Sequence, residues 1–265
     1  MPTAADEVRW DPASGTVDLE RLTDVDAFIH LAGANLGSRP WTPAYRRTVL
    51  DSRVDGTQTI ATALTHLTPR PRVLLSASGV SYYGNPGVRV LDESDPLGES
   101  YIAEIARRWE ESTAAAAGAG VRVVTMRTGV VMSGRGGTMG RIGPLFRLGL
   151  GGRLGSGRQY WSWIGLHDYV RAVRFLLDRD DISGPVNVCA PTPVTNAEFT
   201  KSLGRAVNRP AVFMAPGFAL RFALRDFADD LLRGQRVVPR RLLDAGFTFD
   251  YPDLESALEA ELATR

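Results

Sequence analysis

Residues able to do chemistry gather where apolar runs give way to small and polar side chains. Arg72-Val73-Leu74-Leu75-Ser76-Ala77-Ser78 reads as a strand whose end carries hydroxyls. Val25-Asp26-Ala27-Phe28-Ile29-His30-Leu31-Ala32-Gly33 reads as another, ending in small residues. Polar or small strand ends in a parallel sheet face ligands, because the crossovers leave a crevice beyond them. Ser78 offers a hydroxyl that can hold a substrate oxygen or exchange its proton. Tyr82 and Tyr83, in the loop that follows, either line that crevice or pack beneath the loop. His30, His66 and His167 stand far apart and Cys189 stands alone, so neither metal-ligand spacing nor an internal disulfide is expected. His30 reads as a structural histidine.

The elements that position these residues alternate. Thr42-Pro43 is a cap followed by proline at the first helical position, and Val49, Val54, Ile60, Ala61 and Leu64 then recur at helical spacing to about His66. A helix over 101–117 and a strand at Val121 to Arg127 follow. This β-α-β-α-β order predicts a parallel sheet with right-handed crossovers. Beyond residue 130 come glycine-rich loops, a short helix at 144–150, a strand near 160–164 and a helix over 167–177. His167-Asp168 is read as the cap of that last helix. Gly184 to Cys189 is a further strand, and Thr195 with Glu198 forms a capping box that opens the next helix. The tail from Pro210 reads as mostly helical. A boundary near residue 135 divides a nucleotide-binding part, 1–135, from 136–265, a mixed segment that returns partly to the sheet and forms a smaller domain.

With 31 Lys+Arg against 30 Asp+Glu in 265 residues, the chain lacks the strong basic field of a non-specific nucleic-acid or membrane binder, though a small basic patch is compatible with it. No run of about 18 apolar residues occurs, and the first residues lack a basic and an apolar leader segment. The expectation is a cytoplasmic protein with a small-molecule substrate and neither nucleic acid nor membrane as partner.

Six ordered segments carry a resemblance: Val25 to Gly33, Asp51 to Thr57 ("DSRVDGT"), Leu75 to Gly84 ("LSASGVSYYG"), Arg127 to Val131 ("RTGVV"), Phe146 to Ile164 and Gly184 to Phe199. Together they are similar to the epimerase-family atypical short-chain dehydrogenases, in particular the bacterial nucleoside-diphosphate-sugar epimerase branch and its eukaryotic relatives. The resemblance implies an α/β fold, a Rossmann-like parallel sheet with a smaller mixed C-terminal substrate domain, and NADP or NAD as cofactor. A homodimer is a family-level expectation. Family members open with a strand, a G-x-x-G-x-x-G turn and a helix, and this sequence shows no such segment; roughly one βαβ unit of about 30 residues is missing. Neither of the later glycine clusters substitutes for that turn: Gly134 to Gly140 and Gly151 to Gly157 read as ordinary loop glycines. The expectation is a shortened start that leaves the strand Val25 to Leu31 as an exposed sheet edge, with coverage by a partner chain or strand swap as the alternative.

The resemblance implies Ser78, Tyr82 and Tyr83 as catalytic. It implies Ala32, Gly33, Ser76, Ala77, Arg127, Thr128 and Gly129 as cofactor-binding, and Arg53, Gln159 and Trp161 as substrate-binding. Arg53 either binds a substrate phosphate or pairs with Asp51 or Asp55 on the surface. Tyr101 opens the helix that would carry Tyr-x-x-x-Lys, yet Ile105 stands four residues on, so the pair is absent. Three readings follow: an NAD(P)-dependent epimerase or oxidoreductase, a dinucleotide-binding regulator without turnover, or a shortened chain that binds no cofactor.

Overall fold

The computed structural model describes residues 6–263. Four parallel strands build the main sheet: β1 (Ala27–His30), β2 (Val73–Gly79), β3 (Arg122–Thr128) and, after two short strands β4 (Val130–Met132) and β5 (Trp163–Gly165), β6 (Gly184–Val188). Their order is β6-β3-β2-β1, so β1 forms an edge where Ile29 and Leu31 are 46% and 52% exposed. Register pairs Ile29 with Leu75 and Leu75 with Val124. The strand from Gly184 thus returns chain to the sheet, as its apolar run predicts.

Helices α1 (Pro43–His66), α2 (Tyr101–Glu111) and α3 (Ala114–Gly118) cover one face. Thr42 caps α1 by accepting from the Tyr45 amide, with Pro43 at the first turn. The single helix expected over 101–117 is two: α2 ends at Glu111, and the Ser112 and Thr113 hydroxyls donate to the carbonyls of Arg108 and Glu110, competing with the helical ladder. Leu74 and Val123 meet Ile60, Leu64 and Ala116 here, while the alternate residues Leu75, Val124 and Met126 face the other side.

Beyond β4, α4 (Gly137–Arg147) runs longer than the expected 144–150, with Pro144 inside it. Next come α5 (Leu166–Asp178), α6 (Asn196–Ala206), α7 (Gly217–Leu224), α8 (Phe227–Leu232), α9 (Arg240–Asp244) and α10 (Leu254–Ala263). From α5 and α9, Leu176 and Leu242 close the second face of the sheet. A separate core around Trp163, Phe199, Leu203 and Leu258 holds the C-terminal part. The capping box at α6 is present as predicted. His167-Asp168 does not cap α5, whose cap is Gly165; Asp168 instead accepts from the amides of Asp250 and Tyr251, pinning a distant loop. No described helix is long and apolar enough to cross a membrane.

Candidate functional site

Strand period decides where the polar strand ends point. In β2, Leu74 faces α1, so Ser76 and Ser78 share that face; in β3, Val123 places Thr125 and Arg127 there too. Ser78 therefore points beneath α2. Its hydroxyl donates to Glu110 Oε1 at 2.7 Å, and Arg127 grips the same carboxylate through Nε at 2.8 Å and Nη2 at 2.9 Å. Arg127 Nη1 donates to the Tyr83 hydroxyl at 3.1 Å, which donates to Asn187 Oδ1 at 2.8 Å. The Arg127 guanidinium lies 3.4 Å from the Tyr82 ring centroid. Side chains from β2, its following turn, α2, β3 and β6 are thus tied into one buried network.

Charge follows from burial here. Burial alone would lower the Arg127 guanidinium, but the bonds and charge of Glu110 outweigh it and hold its pKa above the ordinary value. Burial pushes the Tyr83 phenol up, against the pull of Arg127, so Tyr83 stays protonated at neutral pH and acts as a hydrogen-bond donor. Tyr101, where the resemblance would place a catalytic tyrosine, is 37% exposed; among the described residues its hydroxyl reaches the Arg46 carbonyl at 3.5 Å, while the Arg46 guanidinium lies over its ring.

The loop after β1 is held from both halves of the chain. Arg141 of α4 donates to Asn35 Oδ1 at 3.1 Å, and Phe227 of α8 stacks on Trp41 at 5.2 Å. Within that loop, a Cβ added at Gly33 would lie 3.3 Å from the Arg53 side chain. Arg53 comes up from α1, is 7% exposed, and donates through Nη1 to the carbonyls of Ala34 at 3.0 Å and Val49 at 3.1 Å. Its guanidinium lies 4.7 Å from the Trp109 ring centroid. Neither Asp51 nor Asp55 pairs with it, and among the described residues no carboxylate does, which overturns the surface-pair alternative. Desolvation pushes its pKa down to about 10, so it remains a cation at neutral pH. A buried cation without a counterion is costly, and an anionic ligand is what offsets that cost. The structure thus brings Arg53, expected at the substrate, against Gly33 and Ala34, next to the residues expected at the cofactor.

The other expected contacts scatter. Ser76 is fully buried with its Oγ unpartnered, and Ala77 is buried on the opposite face. Thr128 donates back to the Met126 carbonyl. Gly129 is needed for packing, since a Cβ there would lie 2.7 Å from the Ser162 carbonyl oxygen. Gln159 donates to the carbonyls of Leu154 at 3.0 Å and Leu231 at 3.3 Å, leaving a buried Oε1 without a partner. Trp161 packs on Phe199 at 5.0 Å. His30 is not fully satisfied: its Nε2 is buried without a partner beside the edge of Trp10, and burial lowers its pKa. Gly134 lies against α10, where a Cβ would sit 2.2 Å from the Glu261 carbonyl oxygen, so packing accounts for it. Among the described residues, His167 converges with Asp168 and Asp250 but with no other histidine, and Arg171 bridges both aspartates.

Sequence reasoning missed Glu110, Asn187 and Glu93. Glu110 was findable: Ile102, Ala103, Ala106 and Trp109 mark the buried face of α2, and position 110 lies four residues beyond Ala106 and seven beyond Ala103. An acid on that face needs a buried cation. Glu93 accepts from the amides of Asn187 and Arg241, 94 and 148 residues away along the chain, and no local pattern announces such contacts.

Comparison with known proteins places this geometry. The NAD dependent epimerase/dehydratase family matches residues 10–189, and a domain of unknown function (DUF1731) matches 215–261. An epimerase family protein of Mycobacterium bovis is 47% identical, covering 97% of this chain and 85% of its own length. The Bos taurus epimerase family protein SDR39U1 is 36% identical over 97% of this chain and 88% of its own. The crystal structure of human SDR39U1 (isoform 2) with NADPH superposes with a TM-score of 0.86 at 35% identity, covering 91% of this chain and 83% of that one.

Proposed function

The chain belongs to the NAD dependent epimerase/dehydratase family, and from that premise we propose that it binds NADP or NAD at the C-terminal ends of its parallel strands and acts on a small polar or nucleotide-linked substrate. Buried Arg53, without an acidic partner among the described residues and lying against Gly33 and the Ala34 carbonyl, carries this reading. It would hold a phosphate of the dinucleotide, with Ala32 and Gly33 allowing close approach and the strand ends at Ser76-Ala77 and Arg127-Thr128-Gly129 forming the floor. When bound, a nicotinamide cofactor accepts or returns a hydride. Residues 1–135 would serve the cofactor and 136–265 the substrate, although the core under the sheet joins the two, with Leu75 and Val124 packed among Leu176, Val186 and Leu242. Gln159 Oε1, buried and unpartnered, is the acceptor best placed in the sequence beside Trp161 to take a substrate donor. The setting is a reducing cytoplasm, in keeping with a single cysteine, Cys189, whose thiol burial pushes well up.

Calorimetric titration of NADPH and NADH tests this. Arg53→Met should weaken binding at least tenfold, with Arg53→Lys between it and the wild type. Equal affinity in all three removes Arg53 from the site.

A second reading, a dinucleotide-binding regulator without turnover, is favoured by one observation. Ser78 is committed to Glu110 and Tyr83 to Asn187, and no lysine accompanies Tyr101. For an enzyme, Ser78, Tyr82 and Tyr83 are the hydroxyl-bearing groups that would hold the substrate oxygen. A substrate-dependent change in nicotinamide absorbance that Ser78→Ala abolishes supports the enzyme; tight binding with no turnover supports the regulator.

A further inference from the structure

An apolar patch lies uncovered on the outer surface of the C-terminal part. Leu148, Val212 and Phe213 are 73%, 79% and 53% exposed, and Leu145, Leu150 and Met214 are 49%, 54% and 50% exposed. The two segments form one surface because the backbone joins them. Phe213 N donates to the Gly151 carbonyl, Gly152–Leu154 pairs with Phe213–Ala215, and Arg209 Nε donates to the Arg147 carbonyl. α7, which follows directly, buries no residue and shows Phe218 and Phe222, one turn apart, at 77% and 92% exposure. The six large apolar side chains of the two joined segments mark a surface that meets something apolar.

Alongside opens a groove of about 880 Å³ whose lining includes Arg153, Lys201, Arg205 and Arg209, along with Val212 and Phe213, and no aspartate or glutamate. None of these four cations is in an ion pair among the described residues. The nearly balanced total charge, 31 against 30, hides this segregation. The expectation of no membrane partner rests on that total, and a local patch escapes it.

We propose that this face docks the protein onto an anionic lipid surface, with the apolar side chains at the headgroup boundary and the four cations on lipid phosphates. Such a surface satisfies both halves of the patch at once. A second copy related by a twofold axis through the groove would instead set one cation cluster against the other. Each basic side chain close to an anionic leaflet is worth about fivefold in partitioning, so reversing two should cost well over tenfold.

The test is flotation of the full chain with vesicles of phosphatidylcholine alone or mixed with phosphatidylserine. The protein should float with the mixed vesicles only, and release as sodium chloride rises. Lys201→Glu with Arg205→Glu, and separately Leu148→Ser with Val212→Ser, should each reduce flotation at least tenfold. All four positions are exposed, and unchanged circular dichroism and melting would show that the variants fold. Three results overturn the proposal: no flotation, or equal flotation with both vesicle types; a lipid-free dimer in sedimentation velocity that the serine pair dissolves; and inorganic pyrophosphate binding in the groove without flotation.

Discussion

Removing the Glu110 carboxylate should unsettle the sheet more than any other single polar change near the strand ends. The Arg127 side chain is 4% exposed and that of Glu110 14%, and three hydrogen bonds converge on the carboxylate. Glu110→Ala leaves a buried guanidinium whose remaining bond is to the Tyr83 hydroxyl, and orphans Ser78 as well. Breaking a buried pair on one side costs about 3–5 kcal/mol, since the survivor's desolvation is no longer offset. In a chain of this size that is a fall in melting temperature on the order of 10 °C. Replacing both partners, with Glu110→Leu and Arg127→Leu, removes the stranded charge and should cost less than Glu110→Ala alone. Urea denaturation of the wild type, Glu110→Ala, Glu110→Leu, Arg127→Leu and the double leucine variant, followed by circular dichroism and tryptophan fluorescence, gives the loss for Glu110→Ala and the cycle for the leucine pair. A loss below about 1 kcal/mol for Glu110→Ala, or a double variant as damaged as the sum of its singles, would refute a buried, coupled pair.

Two glycines of one segment should respond oppositely. Gly134→Ala forces a Cβ to within 2.2 Å of the Glu261 carbonyl and should cost about 1–3 kcal/mol in a denaturant midpoint, whereas Gly140→Ala, in α4 with nothing within 4 Å, should be neutral or gain up to about 1 kcal/mol. Thr195→Ala removes the cap that accepts from the Glu198 amide and should lower stability by about 1 kcal/mol in the same assay, with Thr195→Ser nearly unchanged. Burial pushes the Asp230 carboxyl up to about 7 from 3.8, so the folded state holds that proton more tightly than the unfolded chain does. Its contribution is full at acid pH and declines as pH climbs from about 4 through 7; Asp230→Asn should flatten that decline in melting temperature against pH.

Much of this architecture is written in local chemistry. The cap at Thr42, the capping box at Thr195 and the apolar run of β2 each act within a few residues, and each gives the element it predicts. The break after Glu111 is local too, but the alanine-rich stretch that follows masks it, since helix propensity says nothing of where a hydroxyl bonds back. The roles of Ser78 and Arg127 were harder to read, because a strand end looks the same whichever face its last side chain takes. Counting by twos from Leu74 would have sent Ser78 beneath α2, and counting by fours along α2 would have met Glu110 there. Asp168 illustrates what pattern cannot supply: its carboxylate serves amides of residues 250 and 251, a contact fixed only by the finished fold.

The two buried arginines near the strand ends, Arg127 of β3 and Arg53 of α1, differ in how their charge is met. Both are under a tenth exposed and both lie over aromatic rings. Arg127 has a carboxylate in bidentate contact, so its charge is neutralised within the fold and its absence would leave Glu110 in want of a partner. Arg53 has only two carbonyl oxygens, dipoles that orient a guanidinium without cancelling its charge. Folding has therefore left Arg53 a buried cation without a carboxylate among the described residues, beside Gly33 and the Ala34 carbonyl at the end of β1, and the proposed phosphate would supply the missing negative charge. The same logic makes Arg127→Lys a structural change, read in stability, and Arg53→Lys a binding change, read in the affinity for a phosphate-bearing cofactor.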